Sequence, residues 1–349
     1  MRLLLAPLSW LYALALVVRH RLYDWGILKS RSFSVPTICV GNLALGGTGK
    51  TPHTEYLIKL LKDKCKVAVL SRGYGRKTKG YIHADENTTY EQIGDEPLQY
   101  HLKFNDITVA VDEDRCDGVE KLMTLETSPE VILLDDAFQH RKIRPGFNIL
   151  LTEYYNIYKK DMLVPAGKLR DVKCAADRAD VIIVTKSPKV LLPYDKRDVI
   201  NLINAKPYQK IFFTNIDFLG LKPVNALAKS MTLENMKSIY LFCGIANPYP
   251  LEDYLKRKYN TLITNYFSDH HCYSNDDIDN ILSGYNSVIG KSKIIVTTEK
   301  DYMRLTNSSY LEKFENVPLF TVPIEVNFND SKEEETFKNL ILNYVGKNS

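Results

Sequence analysis

Apolar residues along this chain come in short continuous runs separated by amphipathic stretches, the pattern of buried parallel strands alternating with helices. Residues 35–40, 66–70, 107–111, 131–136, 147–151 and 181–185 read as strands, the fifth of these runs opening at Phe147. Residues 53–62, 98–104 and 112–126 read as helices between them. The alternation continues to about residue 212 and predicts an α/β fold, a mostly parallel sheet with helices on both faces. Residues 212–219 carry no helix pattern, and a hinge is placed there. A second, smaller α/β unit follows, with strands at 239–243 and 294–298 and extended segments at 261–267 and 317–326. Its helices read at 251–259 and 276–289, and the polar tail after Phe328 reads as one more helix. The expected division is an N-terminal helix over 1–30, a first domain over 31–212 and a second over 213–349.

The first stretch departs from this pattern. It is uncharged from Leu3 to Val18, follows Arg2, and is succeeded by Arg19, His20 and Arg21. As a helix it spans roughly 24 Å at about 1.5 Å per residue, short of a hydrocarbon core of roughly 30 Å. An export signal cut near Ala13-Leu14-Ala15, a short spanning helix, a core helix of a soluble domain and a helix lying in a membrane interface are the competing readings. The basic residues after the apolar run disfavour export and suit anionic headgroups, and Trp10, Tyr12, Tyr23 and Trp25 suit an interface. An apolar interfacial helix is therefore the expectation.

Composition narrows the class. A chain of 349 residues, 45% hydrophobic and 25% charged, is globular and long enough for more than one core. A net charge of +4 is too mild for a dedicated nucleic-acid binder, yet compatible with anionic small molecules and lipid surfaces. The 6 cysteines include no Cys-x-x-Cys pair, which suits free thiols in a reducing compartment and excludes a zinc or disulfide framework.

The chemistry begins after the first strand, at Gly46-Gly47-Thr48-Gly49-Lys50-Thr51-Pro52. A glycine loop between a strand and a helix turns backbone N–H groups inward around an anion, and the helix N-terminus adds partial positive charge. In such a P-loop Lys50 reaches the β- and γ-phosphates and the Thr51 hydroxyl meets Mg²⁺. The usual first glycine is replaced by Ala44, and Gly46 and Gly47 are expected to take over the tight turn. The apolar run 131–134 ends in Asp135-Asp136, the form of a strand that carries a carboxylate to a phosphate-bound metal. Arg72, in Ser71-Arg72-Gly73-Tyr74-Gly75-Arg76, is a candidate phosphate cation, with a solvated basic turn as the alternative. Asp95, in Gly94-Asp95-Glu96-Pro97, reads by itself as a helix cap. Arg170 and Asp171 are candidates for phosphate and metal contact. His270, in Asp269-His270-His271, is a candidate catalytic or phosphate-contacting histidine, weighed evenly against a surface pair.

Taken together with Asp135-Asp136-Ala137-Phe138-Gln139-His140-Arg141, Pro165-Ala166-Gly167-Lys168-Leu169-Arg170 and Thr298-Glu299-Lys300-Asp301, these motifs resemble, in order, the tetraacyldisaccharide 4′-kinases of lipid A assembly in Gram-negative bacteria. The resemblance runs from the N-terminal helix to about residue 325. It implies ATP and Mg²⁺ in a cleft between a P-loop domain and a smaller α/β domain. It also implies γ-phosphoryl transfer to the 4′-hydroxyl of a tetraacylated disaccharide 1-phosphate at the cytoplasmic face of the inner membrane. Carried over by motif, Asp95 is the general base and His270 supports it across the cleft. Lys50, Arg72 and Arg170 steady phosphate charge, Gly46 to Thr51 bind nucleotide, and Thr51, Asp135, Asp136 and Asp171 hold the metal. Gly is more usual in the family at Ala137, and Glu at Asp171. The rival class is a P-loop switch or metallochaperone-type GTPase. It would need an Asn-Lys-x-Asp base reader, and Thr185-Lys186-Ser187-Pro188 lacks both the Asn and the Asp.

Overall fold

A computed structural model of the chain describes residues 2–290, 292–306 and 310–348. In chain order the first part comprises α1 (Arg2–Asp24), β1 (Thr37–Asn42), α2 (Lys50–Leu61), β2 (Val67–Ser71), β3 (Ile82–His83), α3 (Tyr90–Ile93), α4 (Asp95–Lys103), β4 (Thr108–Val111) and α5 (Arg115–Met123). It continues through β5 (Val131–Asp135), β6 (Phe147–Glu153), β7 (Val181–Thr185), α6 (Pro193–Ile203) and β8 (Lys210–Phe218). The second part holds β9 (Lys222–Pro223), α7 (Ala226–Lys229), β10 (Ser238–Cys243), α8 (Tyr249–Lys256), β11 (Thr261–Tyr266) and α9 (Asn275–Ser287). Then come β12 (Lys293–Thr298), α10 (Glu299–Met303), α11 (Tyr310–Lys313) and β13 (Leu319–Val322), and the chain ends with β14 (Ile324–Phe328) and α12 (Ser331–Asn348).

The fold is mixed α/β, with a nine-stranded sheet in the order β14-β8-β7-β6-β1-β5-β2-β4-β3. Its strands pair in parallel except for β3 and β14 at the two edges. Strands buried on both faces must be apolar throughout, and β1, β2, β5 and β7 are buried at every position. One face packs on α2, α4 and α12 through Leu57, Leu98, Phe337 and Ile341. The other packs on α5 and α6 and receives Leu16 of α1. β1 lies between β5 and β6, so the loop after it opens mid-sheet at the carboxyl edge, where ligands bind in open α/β sheets.

The smaller sheet runs β11-β10-β12-β13-β9, parallel apart from β9. The expected boundary at residue 212 falls inside β8. β14 pairs antiparallel with β8 along Ile324↔Phe218 to Phe328↔Thr214 and so returns the chain to the large sheet. The tail helix α12 then buries Phe337, Ile341 and Val345 against the first core, at roughly 1.5–3 kcal/mol for each large side chain. The smaller unit is thus inserted between two neighbouring strands of the larger one. The link is short, and Leu219 N donates to Pro323 O across it at 3.0 Å.

α1 is a helix over almost all of the apolar stretch and continues through the basic flank. Ser9, Leu16 and His20 are buried, whereas Leu4, Leu8, Trp10, Leu11, Leu14 and Val18 face outward. Among the described residues no helix is long and apolar enough to cross a membrane.

Candidate active site

The loop from β1 to α2 is shaped by two left-handed glycines, Gly46 at φ 105 and Gly49 at φ 89. A side chain at either would be strained. The Ala44 departure has a structural account. Ala44 forms a β-bridge with Leu169, and Leu45 N donates to Lys168 O at 2.7 Å. The loop therefore begins in extended, paired backbone that alanine accommodates, and the turn is made two residues later.

Several groups brace the loop from behind. Asn42 Nδ2 donates to Thr48 Oγ1 at 2.6 Å, and Thr185 Oγ1 donates to Thr48 O at 2.9 Å. Lys186 Nζ donates to Gly47 O and pairs with Glu153. His53 Nδ1 donates to Gly49 O at 2.6 Å, which leaves Nε2 to accept from the Thr214 hydroxyl at 3.0 Å. Burial pushes the His53 imidazole down to about 4, so it is neutral here.

Lys50 and Thr51 open α2 and face the end of β5. Asp135 and Asp136 are chain neighbours with different environments. Asp136 takes a left-handed φ of 49 and is forked by Arg170, with Nη1 at 3.0 Å from Oδ2 and Nη2 on Oδ1, while Lys50 Nζ lies 3.7 Å away. Burial would raise its carboxyl, but Lys50 and Arg170 outweigh this and hold it low. Asp135 is fully buried. Its Oδ2 accepts from Ser71 Oγ at 3.3 Å and Tyr100 OH at 3.4 Å, and its Oδ1 has no hydrogen-bond partner among the described residues. Burial, then the charges of Glu96 and Asp136, push this carboxyl up to about 7. A buried carboxylate oxygen without a donor, within reach of the Lys50 charge, fits a divalent cation. Among the described residues no three His, Cys, Asp or Glu side chains form a metal cage.

Facing this edge is a second group of side chains. Gly94 at φ 92 and Gly73 at φ 70 let two loops cross, since a Cβ on Gly94 would lie 2.9 Å from Tyr74 O and one on Gly73 2.7 Å from Ile93 O. The crossing sets Asp95 at the start of α4 beside the Arg72 loop. Arg72 itself is exposed, with no ion pair among the described residues. From the smaller unit, Lys300 Nζ donates to His270 Nε2 at 3.1 Å. This leaves His270 Nδ1–H to donate to Asp95 Oδ2 at 3.2 Å. His270 adopts φ 57, a left-handed conformation rare outside glycine, and its ring meets Tyr74 edge-on at 5.1 Å. Asp95 and His270 thus come together from the two units across 175 residues of chain.

Asp171 is the one candidate the structure removes from the site. Its side chain is fully buried and points to α1, where His20 Nε2 donates to Oδ1 at 2.6 Å and Arg178 Nη2 lies 3.6 Å from Oδ2. It anchors the N-terminal helix. The chain bends at these two residues, just after the Ala44–Leu169 bridge, and their side chains reach different partners, Arg170 to Asp136 and Asp171 to His20.

The sequence pattern of the tetraacyldisaccharide-1-P 4′-kinase family, LpxK, matches residues 1–345. This chain belongs to that family. A tetraacyldisaccharide 4′-kinase of Bacteroides thetaiotaomicron is 43% identical over 356 residues, covering 99% of this chain and 93% of the relative. One of Flavobacterium johnsoniae is 42% identical over 352 residues, covering 100% and 98%. A crystal structure described as an "apo" form of LpxK from Aquifex aeolicus in complex with ATP matches with a TM-score of 0.74 at 30% identity, covering 99% of both chains. Within this LpxK fold, sequence reasoning passed over Arg304, Lys300, Glu96 and Arg115. Arg115 is fully buried and donates from Nη2 to Asp135 O at 3.3 Å. Lys300 pairs with Glu96 at 3.0 Å. Lys300 stands inside Thr298-Glu299-Lys300-Asp301, and Arg304 lies about one helical turn beyond it, which is the signal the sequence offers.

Proposed function

We propose that this chain transfers the γ-phosphoryl group of ATP to the 4′-hydroxyl of a tetraacylated disaccharide 1-phosphate, the acceptor named by its relatives. The observation that carries the reading is a single convergence. A glycine loop ending in Lys50 and Thr51, the Asp135–Asp136 strand end, and an Asp95–His270 pair from two units meet at one edge of the sheet.

Phosphoryl transfer to an alcohol needs in-line placement and charge neutralisation more than covalent help. The loop amides from Gly46 to Gly49 and Lys50 cradle the triphosphate. Thr51 and Asp135 hold Mg²⁺, which supplies charge neutralisation on the phosphates when bound. Asp136 aims Arg170 beside Lys50, where both cations meet the charge that develops on the transferring group. Asp95 accepts the hydroxyl proton, and His270 orients it. Arg72, exposed at the mouth, meets an anionic group of the substrate. The two strands joining the units act as the hinge about which the cleft closes and excludes water.

The outward apolar face of α1 supports attachment to a membrane surface, in this reading the inner membrane of a Gram-negative cell, where a tetraacylated acceptor resides. The test is transfer of label from [γ-³²P]ATP with Mg²⁺ to detergent-dispersed lipid A disaccharide 1-phosphate. Labelled lipid that vanishes with Lys50→Ala is expected. Label released only as free phosphate would overturn the reading in favour of a switch-type NTPase.

A further inference from the structure

Asp95 belongs to the larger unit, yet most of what touches its carboxylate comes from the smaller one. Arg304, at the end of α10, donates to Oδ2 from Nε at 2.9 Å and from Nη2 at 2.7 Å. His270 Nδ1 adds a third donor to the same oxygen at 3.2 Å. Oδ1 receives one hydrogen bond, from Glu96 N at 2.9 Å, and keeps capacity for another donor.

The guanidinium cannot simply follow the carboxylate. Its Nη1 donates to Asp301 Oδ1 at 2.9 Å and to Gly244 O at 3.2 Å. Asp301 is fully buried and held in turn by Gly244 N at 2.9 Å, Tyr273 OH at 2.9 Å and Thr298 Oγ1 at 2.6 Å. Arg304 is therefore a fixed fork built into the smaller unit, aimed at one oxygen of a side chain on the larger unit.

We infer that Arg304 is a positioning residue for phosphoryl transfer: its fork on Oδ2 fixes the Asp95 carboxylate and turns Oδ1 toward the acceptor hydroxyl. The inference rests on the reading of Asp95 as the base. The groups facing Asp95 are Arg304, Lys300 and Asp301 from α10, His270 from the loop after β11, Glu96 from its own helix, and Tyr74 behind His270. Burial alone would raise the Asp95 carboxyl. The His270 hydrogen bond and the charges of Lys300 and Arg304 outweigh burial and hold it well below the usual carboxylate range. The loose transition state of phosphoryl transfer asks little of base strength and much of alignment. A weak base that is always ionised and always aimed suits it.

The experiment compares the full-length wild type with Arg304→Gln and Arg304→Lys, using the detergent-dispersed lipid acceptor and saturating ATP and Mg²⁺, with kcat followed from about pH 5 to 9. The wild type is expected to show no acid limb in this window. Arg304→Gln removes the fork, so kcat falls about tenfold or more while KM for ATP stays within about twofold. Arg304→Lys keeps the charge and loses the fork, so it retains the wild-type profile at a kcat about tenfold lower. Full kcat in the Gln or the Lys variant, or a loss that appears in KM for ATP and not in kcat, overturns the inference. If the Gln variant does not fold, the Lys variant decides alone. In an Asp95→Asn background, Arg304→Gln is expected to cost nothing further, and an additive loss also overturns the inference. Wild-type kcat in Asp95→Asn itself would remove the base reading. A large loss there with full kcat in Arg304→Gln removes only the role of Arg304.

Discussion

His20 and Asp171 meet at 2.6 Å, although 151 residues separate them in the chain, and both are buried. Arg141 Nη1 donates to the other imidazole nitrogen at 3.0 Å, which fixes the tautomer that points Nε2–H at the carboxylate. α1 also grips the same loop through Ser9 Oγ to Leu163 O at 2.9 Å and Tyr12 OH to Arg170 O at 3.1 Å. The helix that faces outward with its apolar side thus braces, with its inner side, the loop that carries Arg170.

His20→Ala is expected to destabilise the fold by about 2–4 kcal/mol, because it strips a buried carboxylate of its closest donor. Urea unfolding measures this. Burial works against the ionised Asp171, but His20 and Arg178 prevail and hold its carboxyl below the usual value. A carboxyl depressed by folding contributes stability above its unfolded pKa of about 3.9 and loses it as pH falls through the folded value. The stability difference between wild type and Asp171→Asn is therefore expected to hold from about pH 5 to 8 and to shrink below about pH 4.

Asp95→Ala is expected to lower kcat by about 10²–10⁴, the range for a lost general base, with ATP affinity changed by less than about threefold. Steady-state kinetics with a nucleotide-binding titration separates the two quantities. A kcat within about threefold of wild type, under roughly 0.7 kcal/mol of barrier, would assign the proton to another acceptor.

Asp135→Asn is expected to leave the nucleotide-free protein as stable as wild type or more so, because it removes a buried carboxylate whose Oδ1 has no donor among the described residues. The same variant is expected to lose most of the thermal stabilisation that ATP with Mg²⁺ confers. Differential scanning fluorimetry with and without Mg²⁺·ATP reads both effects. An unchanged Mg²⁺·ATP shift would place the cation elsewhere.

Membrane attachment needs a gentler probe than removing the helix, since deletion of residues 1–20 would also take away Ser9, Leu16 and His20 from the interior. The triple variant Leu4→Ser, Trp10→Ser, Leu14→Ser changes only outward positions. It is expected to weaken co-sedimentation with anionic vesicles more than tenfold, given about 1.5–3 kcal/mol per large apolar side chain buried. Activity toward detergent-dispersed acceptor should persist. Sedimentation at wild-type levels would show that another surface holds the membrane.

The parts of this molecule written in local pattern were legible before any coordinates. β1, the loop from Gly46 to Thr51 and the end of β5 follow from apolar runs, glycine chemistry and adjacent carboxylates. Three other features depend on distant chain and were not legible. The return of β14 and α12 to the large sheet hangs on strand pairing with β8, and the isolated tail reads only as a polar helix. Asp171 follows Arg170 directly, and only the fold reveals that the two face opposite partners. Arg304 looks like an ordinary basic residue at a helix end, and its meaning arises where α10 meets α4.

The interleaving of the two units also orders events during synthesis. A ribosome releases β8 long before β14, and the strand that closes the edge of the large sheet follows the whole of the smaller unit. Until α12 emerges, one face of that sheet lacks the cover that Phe337, Ile341 and Val345 provide. The smaller unit, continuous in the chain, is fully translated before the larger one can be finished. The unit that carries the Gly46 to Thr51 loop is thus completed after its partner, and a nascent chain stalled between β13 and β14 would carry an unsealed, adhesive sheet.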